Sequence, residues 1–208
     1  MSRPPVYDQV IASYDECAVD LIPRYDALPA GAHVSAMAHL FPEGGVALDV
    51  GAGSGRDARW LRGLGFEVVA VEPAAGFRDG AAKADGIDWV DDRLPSLDRV
   101  HRLGLSFDLI ILNAVWQHVA PEDREQAFGR LAGLLRPAGL IAMTLRSGPA
   151  PAARPMHPTS IGEIETLART HGLEILKILR SADIQGREGV SWTTMAVRRA
   201  CDGEAARE

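Results

Sequence analysis

In the segment VALDVGAGSGRDARWL, residues 46–61, a short apolar run ends in an acid, Asp49, and a glycine-rich turn then leads into a helix-like stretch. Gly51, Gly53 and Gly55 lack the side chains that would hold a ligand away from the backbone, and they tolerate positive φ. The helix start beyond them supplies N–H groups without intrahelical partners. Three kinds of turn compete for this pattern. A phosphate-cradling loop needs GxxxxGK[ST], and no Lys follows these glycines, so that reading fails. A dinucleotide turn needs GxGxxG, and Arg56 occupies the third glycine position, which weakens it. The spacing present is GxGxG with Asp49 two residues ahead. An acid there is badly placed beside a pyrophosphate and well placed near a cationic amino-acid head.

A turn of this kind works only if a sheet holds it. Residues 46–50, 67–71, 87–90, 107–112 and 140–145 are short, rich in branched residues and bounded by Gly, Pro or Asp, and each reads as a buried strand. Helical stretches lie between them at 56–63, 74–83 and 121–135. The last begins at Pro121, carries acids in its first turn and shows an apolar stripe through Phe128, Leu131, Leu134 and Leu135. This alternation predicts a parallel sheet with helices on both faces and a ligand at the carboxyl ends of its strands. Two further strands, 173–179 and 192–197, have no long helix between them and should pair antiparallel. Residues 1–43 read as a helical cap, 44–199 as the α/β core of one domain, and 200–208 as a frayed tail.

Composition narrows the partners. The 208-residue chain carries a formal net charge of −6, and its Lys and Arg are scattered. This argues against general affinity for a nucleic-acid backbone. No apolar run approaches the roughly 20 residues that cross a bilayer. Two cysteines near opposite ends, Cys17 and Cys201, suggest no disulfide framework, and no Cys/His/carboxylate cluster has metal-ligand spacing. The expectation is a cytoplasmic monomer or homodimer with no metal and no membrane or nucleic-acid partner.

LDVGAGSG resembles the first motif of the class I S-adenosylmethionine-dependent methyltransferases. EVVAVEP, IDWVDDRLP, FDLIILNAVWQHV and LLRPAGLIAMTL resemble the segments that follow it in that family, in order, over residues 46–199. The resemblance implies a Rossmann-like, doubly wound, seven-stranded sheet with an antiparallel last strand and a substrate-side cap. It implies S-adenosylmethionine as cofactor, S-adenosylhomocysteine as product, and transfer of methyl to the O, N or S of a small molecule. Two alternatives stay open: a protein that binds the cofactor without transferring methyl, and a nucleotide-dependent oxidoreductase on a related sheet. The Asn/Asp-Pro-Pro-aromatic signature of base-amine methylation is absent; Asn113-Ala114-Val115-Trp116 stands there instead. A metal-assisted catechol-type enzyme is disfavoured too, because that turn holds no acidic ligands.

On this resemblance the cofactor-binding residues are Asp49, Gly51, Ala52, Gly53, Gly55, Arg56, Glu72, Pro73, Asp91, Asp92, Arg93, Leu94, Asn113, Ala114 and Val115. Glu72, at a strand's carboxyl end, would accept the ribose hydroxyls. Asp91 or Asp92 would accept from the adenine amine, with Asp91 preferred, and backbone groups near Arg93 and Leu94 would serve the ring. Carbonyls of 113–115 would meet the methionine amino group. His118 is the candidate catalytic base; its alternative is packing on the cofactor or capping the turn before Pro121. Tyr7, Tyr14, Trp116, His157 and Trp192 are candidate substrate contacts. Arg24 and Arg56 are rivals for the methionine carboxylate, although a lone Arg on a helix is more often simply solvated. His33, His39, His101 and His171 read as surface or packing residues.

Overall fold

A computed structural model describes residues 6–81, 86–151 and 154–199 of the chain. Seven strands form one sheet: β1 Gly45–Val50, β2 Phe66–Val71, β3 Ile87–Val90, β4 Phe107–Leu112, β5 Leu135–Ser147, β6 Leu173–Ala182 and β7 Ser191–Arg199. Their spatial order is β3-β2-β1-β4-β5-β7-β6. Neighbours from β3 to β5 pair parallel, and β7 runs antiparallel to both β5 and β6, as expected for a seven-stranded sheet of this kind. The chain winds outward from β1 to β3 and then returns to β4 on the other side of β1. That reversal opens a crevice at the carboxyl ends of β1 and β4.

Alternation along the strands assigns the two faces. Leu48, Val50, Ile110 and Leu112 point to one side, where Phe128 and Leu131 of α6 (Arg124–Leu134) and Ile164 and Leu167 of α7 (Ile161–Thr170) cover them. Ala47, Leu109 and Ile111 point to the other side, beneath Ala58 and Leu61 of α3 (Arg56–Gly63) and Val34 and Met37 of a 3₁₀ stretch, Val34–Leu40. Among fully buried side chains, Phe128 and Trp116 are among the largest.

Two short helices stand ahead of the sheet, α1 Val6–Glu16 and α2 Ala18–Asp26. They pack on α4 (Ala75–Gly80), burying Ala18, Leu21 and Phe77 with Tyr14 and Tyr25 around them. Ser54 Oγ and Arg59 Nη2 both donate to Asp26 Oδ1 at 2.7 Å, which ties the end of α2 to the glycine turn and to α3.

Several element bounds differ from the sequence reading. The helix expected at 121–135 opens as a 3₁₀ turn at Pro121–Asp123, and its last residue, Leu135, already belongs to β5. The expected stretch 74–83 is helical over Ala75–Gly80, and its final two positions lie outside the described residues. Cys201 and the 200–208 tail lie outside them as well. Helix α7 was not expected, yet Ser160 caps its start, accepting from the Glu163 amide at 3.2 Å. The short helix α5, Asp98–Arg102, was also missed.

Candidate active site

The crevice at the strand ends is a cavity of about 420 Å³. Its walls come from the turns after β1, β2, β3 and β4, from α1 and α2, and from the ends of β5 and β7. The floor on the β1 side is the glycine turn. Gly51 and Gly53 have φ of +71° and +53°. A Cβ at Gly51 would lie 2.6 Å from Val115 Cγ2, so glycine is required there by packing. A Cβ at Gly53 would meet only Tyr25 Cδ2, at 3.8 Å, so what glycine preserves there is open crevice.

The amides of the turn are already engaged. Gly51 and Ala52 donate to Val71 O at 2.8 and 2.9 Å, Gly53 to Glu72 Oε2 at 2.9 Å, and Gly55 to Ala52 O at 2.9 Å. The free N–H groups expected from sequence belong to the helix start beyond the turn, whereas the amides of these four residues are spent. A phosphate needs such donors unspent. This turn gives a ligand clearance instead of donors.

Glu72 closes β2, with Oε1 accepting from Ala74 N and Oε2 from Gly53 N, both at 2.9 Å. Each oxygen keeps lone-pair capacity toward the cavity. Burial pushes this carboxyl above its ordinary range even though both amides pull it down. Pro73, Arg93, Leu94, Asn113, Ala114 and Val115 also line the cavity. Asp92 lines it too, while its carboxylate caps the start of α5, accepting from Arg99 N at 2.6 Å and Val100 N at 3.0 Å. Asp91, the preferred choice from sequence, is off the wall and pairs with Arg99 and Arg78 at 3.0 and 3.3 Å.

Asp49 lies under the turn, 2% exposed, with Oδ2 lacking a hydrogen-bond partner. Burial, and then the neighbouring Asp57, push its carboxyl well above the ordinary range. It is not on the cavity wall. Gly55 is also off the wall, packed against Trp89. Arg56 reaches the wall, yet its guanidinium is held by Asp57 through two bonds of 2.7 and 2.8 Å. Asp57 in turn accepts from Gly31 N and Asn113 Nδ2, so one buried carboxylate joins the cap segment, α3 and the β4 turn. Ala114 O already accepts from Gln117 Nε2 at 2.6 Å. Arg24, exposed on the rim, has no carboxylate partner among the described residues.

The opposite half is built around His118. Its Nδ1 lies 3.3 Å from Pro155 O, which can only accept, so Nδ1 carries the proton. Nε2 is then the acceptor for the Tyr14 hydroxyl at 3.1 Å. Burial pushes the imidazole down to about 4, with Arg154, His157 and Arg146 adding to the effect. Burial likewise pushes the Tyr14 phenol up to about 12. His118 is therefore neutral at pH 7, and its basic nitrogen is occupied. Its geometry is that of an anchor for α1, held by Tyr14 and Pro155 instead of by the turn before Pro121, and not that of a free base.

Tyr7 reaches the wall through α1 and donates to Asp123 Oδ2, while Ala120 N donates to its oxygen at 3.1 Å. Trp192 lines the cavity, donates to Asp183 Oδ1 at 2.9 Å and stacks on His33 with centroids 4.6 Å apart. His33, read from sequence as a packing residue, is thus on the cavity wall. Trp116 is not; it is fully buried, edge-on to Phe128. The 3₁₀ turn Trp116–His118 follows Ala114 at φ +63°, and it sends Val115 and His118 toward the cavity and Trp116 into the core. His157 is off the wall as well: its amide bonds Gln117 O at 2.8 Å, and the preceding Met156 lines the cavity instead. Arg146 and Arg154, on this half of the cavity, were not singled out from sequence.

A Rossmann-like sheet with a glycine turn, an acid closing β2 and a cavity at the switch point defines a nucleoside-cofactor protein of the α/β class. Residues 48–143 match the family model described as a methyltransferase domain. That match covers a little under half of the chain, and over it the chain is similar to that family. An uncharacterized methyltransferase of Alkaliphilus oremlandii is 29% identical over 100 residues, which are 48% of this chain and 44% of that protein. That match thus spans less than half of the relative's length. The 1,6-didemethyltoxoflavin-N1-methyltransferase of Burkholderia thailandensis, solved with 1,6-didemethyltoxoflavin and S-adenosylhomocysteine, superposes with a TM-score of 0.74 at 22% identity, covering 96% of this chain and 92% of that one. A TehB-like methyltransferase from Corynebacterium glutamicum gives 0.65 at 19% identity, covering 91% and 100%. The magnesium protoporphyrin IX methyltransferase of Synechocystis gives 0.60 at 15%, covering 96% and 86%. No described helix is long and apolar enough to cross a membrane.

Proposed function

We propose that this chain transfers a methyl group from S-adenosylmethionine to a small-molecule acceptor. The observation that carries the reading is the wall formed by the glycine turn and Glu72: open space above Gly53, amides already spent, and a carboxylate with lone pairs to spare. Such a wall suits a nucleoside that carries a positive charge and no phosphate. When bound, this cofactor supplies a methyl group activated by sulfonium charge. Glu72 accepts the sugar hydroxyls, Asp92 and Leu94 flank the base, and Arg24 faces the amino-acid carboxylate. Asp49 acts from beneath, as a buried carboxyl that supports the turn.

A cavity of about 420 Å³ falls within the range of small-molecule sites and leaves the acceptor little more than the cap-side half. Relatives named for 1,6-didemethyltoxoflavin and magnesium protoporphyrin IX favour the same acceptor class. With His118 committed to Tyr14, the chain's contribution is alignment and exclusion of water, which supply much of the acceleration in a direct displacement. The test is incubation with methyl-labelled S-adenosylmethionine and a panel of small acids, phenols, amines and thiols. Label is expected in one chemical group of the panel. Saturable cofactor binding with no label moved to any acceptor, at high enzyme concentration, points to a binding protein without transfer.

A further inference from the structure

The acceptor half of the cavity has a charge pattern that the cofactor reading does not use. Arg146, at the end of β5, is 8% exposed and lines the cavity. Its guanidinium gives Nη1 to Gly148 O and Met156 Sδ and Nη2 to Pro149 O, and Nε is buried with no partner. Among the described residues no carboxylate pairs with it. Arg154 lies over the Tyr14 ring at 4.8 Å, and its Nε is also buried without a partner. Arg187 and Trp192 both bond Asp183, which leaves that carboxylate little for anything else. The same end thus gathers three guanidiniums around one acid. Of the other polar groups there, Tyr14 and His118 satisfy each other, and Gln185 and His33 stand beside them.

A buried cation without a counter-ion is costly unless a ligand supplies the missing charge. From this arrangement we infer that the acceptor binds as an anion, its negative group against Arg146 with Arg154 beside it, and is methylated in that ionised form. The inference rests on the transferase reading above. It explains how transfer proceeds without His118 as a base: the guanidiniums favour the ionised acceptor before the methyl moves. The anion's electron pair then forms the new bond to the methyl carbon, the bond from that carbon to the sulfonium sulfur breaks, and its pair returns to sulfur. The two charges cancel, and no proton needs a destination within the site. Tyr14, Trp192, Met156 and Ile184 make the remaining surface largely aromatic and apolar, which favours an acid carried on a ring.

The test uses the full chain and three probes of one shape and different charge: benzoate, benzamide and benzamidine. Each is titrated by NMR with and without saturating S-adenosylhomocysteine, so a failure of cofactor binding does not silence the result. Benzoate is expected to bind at least about 10-fold tighter than benzamide, and benzamidine not at all, since a charge-assisted hydrogen bond is worth about 10- to 100-fold in affinity. Arg146→Gln should abolish the preference while cofactor affinity stays within about 2-fold, and Arg146→Lys should restore part of it. Because Arg146 also holds the carbonyls of Gly148 and Pro149, Arg154→Gln serves as the second variant and should reduce the preference less. Equal binding of the three probes, or no saturable benzoate binding, overturns the inference. So does a preference that survives Arg146→Gln in a folded protein, or a loss of cofactor affinity in its place. Absence of cofactor binding by the wild type would instead count against the transferase reading.

Discussion

His118 offers a sharp quantitative check, because a free base and a buried anchor titrate in opposite directions from 6.5. With its folded value near 4, the unfolded chain binds the proton first as pH falls, so acid favours unfolding. The stability that neutral His118 contributes is present above pH 6.5 and is lost progressively down to about 4. For one group moving between those values, lowering the pH from 7 to 5 removes about 2 kcal/mol, and the full loss is about 3 kcal/mol. The perturbation is His118→Asn, which keeps a donor for Pro155 O and cannot titrate. Urea unfolding of wild type and variant at pH 7 and 5 should show a slope shallower by about 2 kcal/mol in the variant, and NMR of the wild-type imidazole should place its midpoint near 4. Equal slopes, or a midpoint at 6.5 or above, would refute the assignment of His118 as a neutral anchor and restore it as a candidate base.

Three more outcomes follow from the geometry. Glu72→Gln should lower S-adenosylhomocysteine affinity by about 10-fold or more. Its unfolding free energy at pH 7 should fall by about 1–3 kcal/mol, because Gln keeps one acceptor oxygen and turns its NH2 toward the amide of Ala74 or Gly53. The folded carboxyl lies above its ordinary value, so the pH-dependent part of its stability exists at low pH and is lost as pH rises through the folded value; calorimetry and urea unfolding read the two effects separately. Gly53→Val should fold with a loss of about 1–2 kcal/mol for its left-handed backbone and lose cofactor binding, and unchanged affinity in a folded variant would mean the crevice lies elsewhere. Phe128→Ala, between the sheet and α7, should cost about 3–5 kcal/mol in unfolding experiments while leaving cofactor affinity in the folded fraction unaltered.

The strands and the glycine turn are readable in sequence because their signals are local: branched residues in short runs, and glycines where a side chain would strike Val115 or fill the crevice. Helix α7 was readable too, since Ser160 and Glu163 have the spacing of a helix start and Ser160 caps it, but this signal sits just after a Pro-rich loop that reads as irregular. The acceptor half was not. Tyr14 meets His118 across 104 positions of sequence, and Trp192, on β7, meets His33 from ahead of β1. No local pattern encodes such pairs. Asp91 and Asp92 are chemically identical neighbours, and only the start of α5 decides which carboxylate is drawn inward. Trp116 was misplaced for a related reason. The positive φ of Ala114 rotates the following turn, and a residue beside a site in sequence ends in the core. Arg146 sits at the end of a strand where an Arg reads as a solvated terminus, and its burial comes from the loop that folds over it.

The most direct measurement is a calorimetric titration of the purified chain with S-adenosylhomocysteine, with NADH titrated in parallel. One saturable site for the nucleoside thioether and no response to NADH is the predicted result. Saturation by NADH, or no saturation by S-adenosylhomocysteine at high protein concentration, would contradict the claim that the glycine turn and Glu72 form a site for a nucleoside without phosphate.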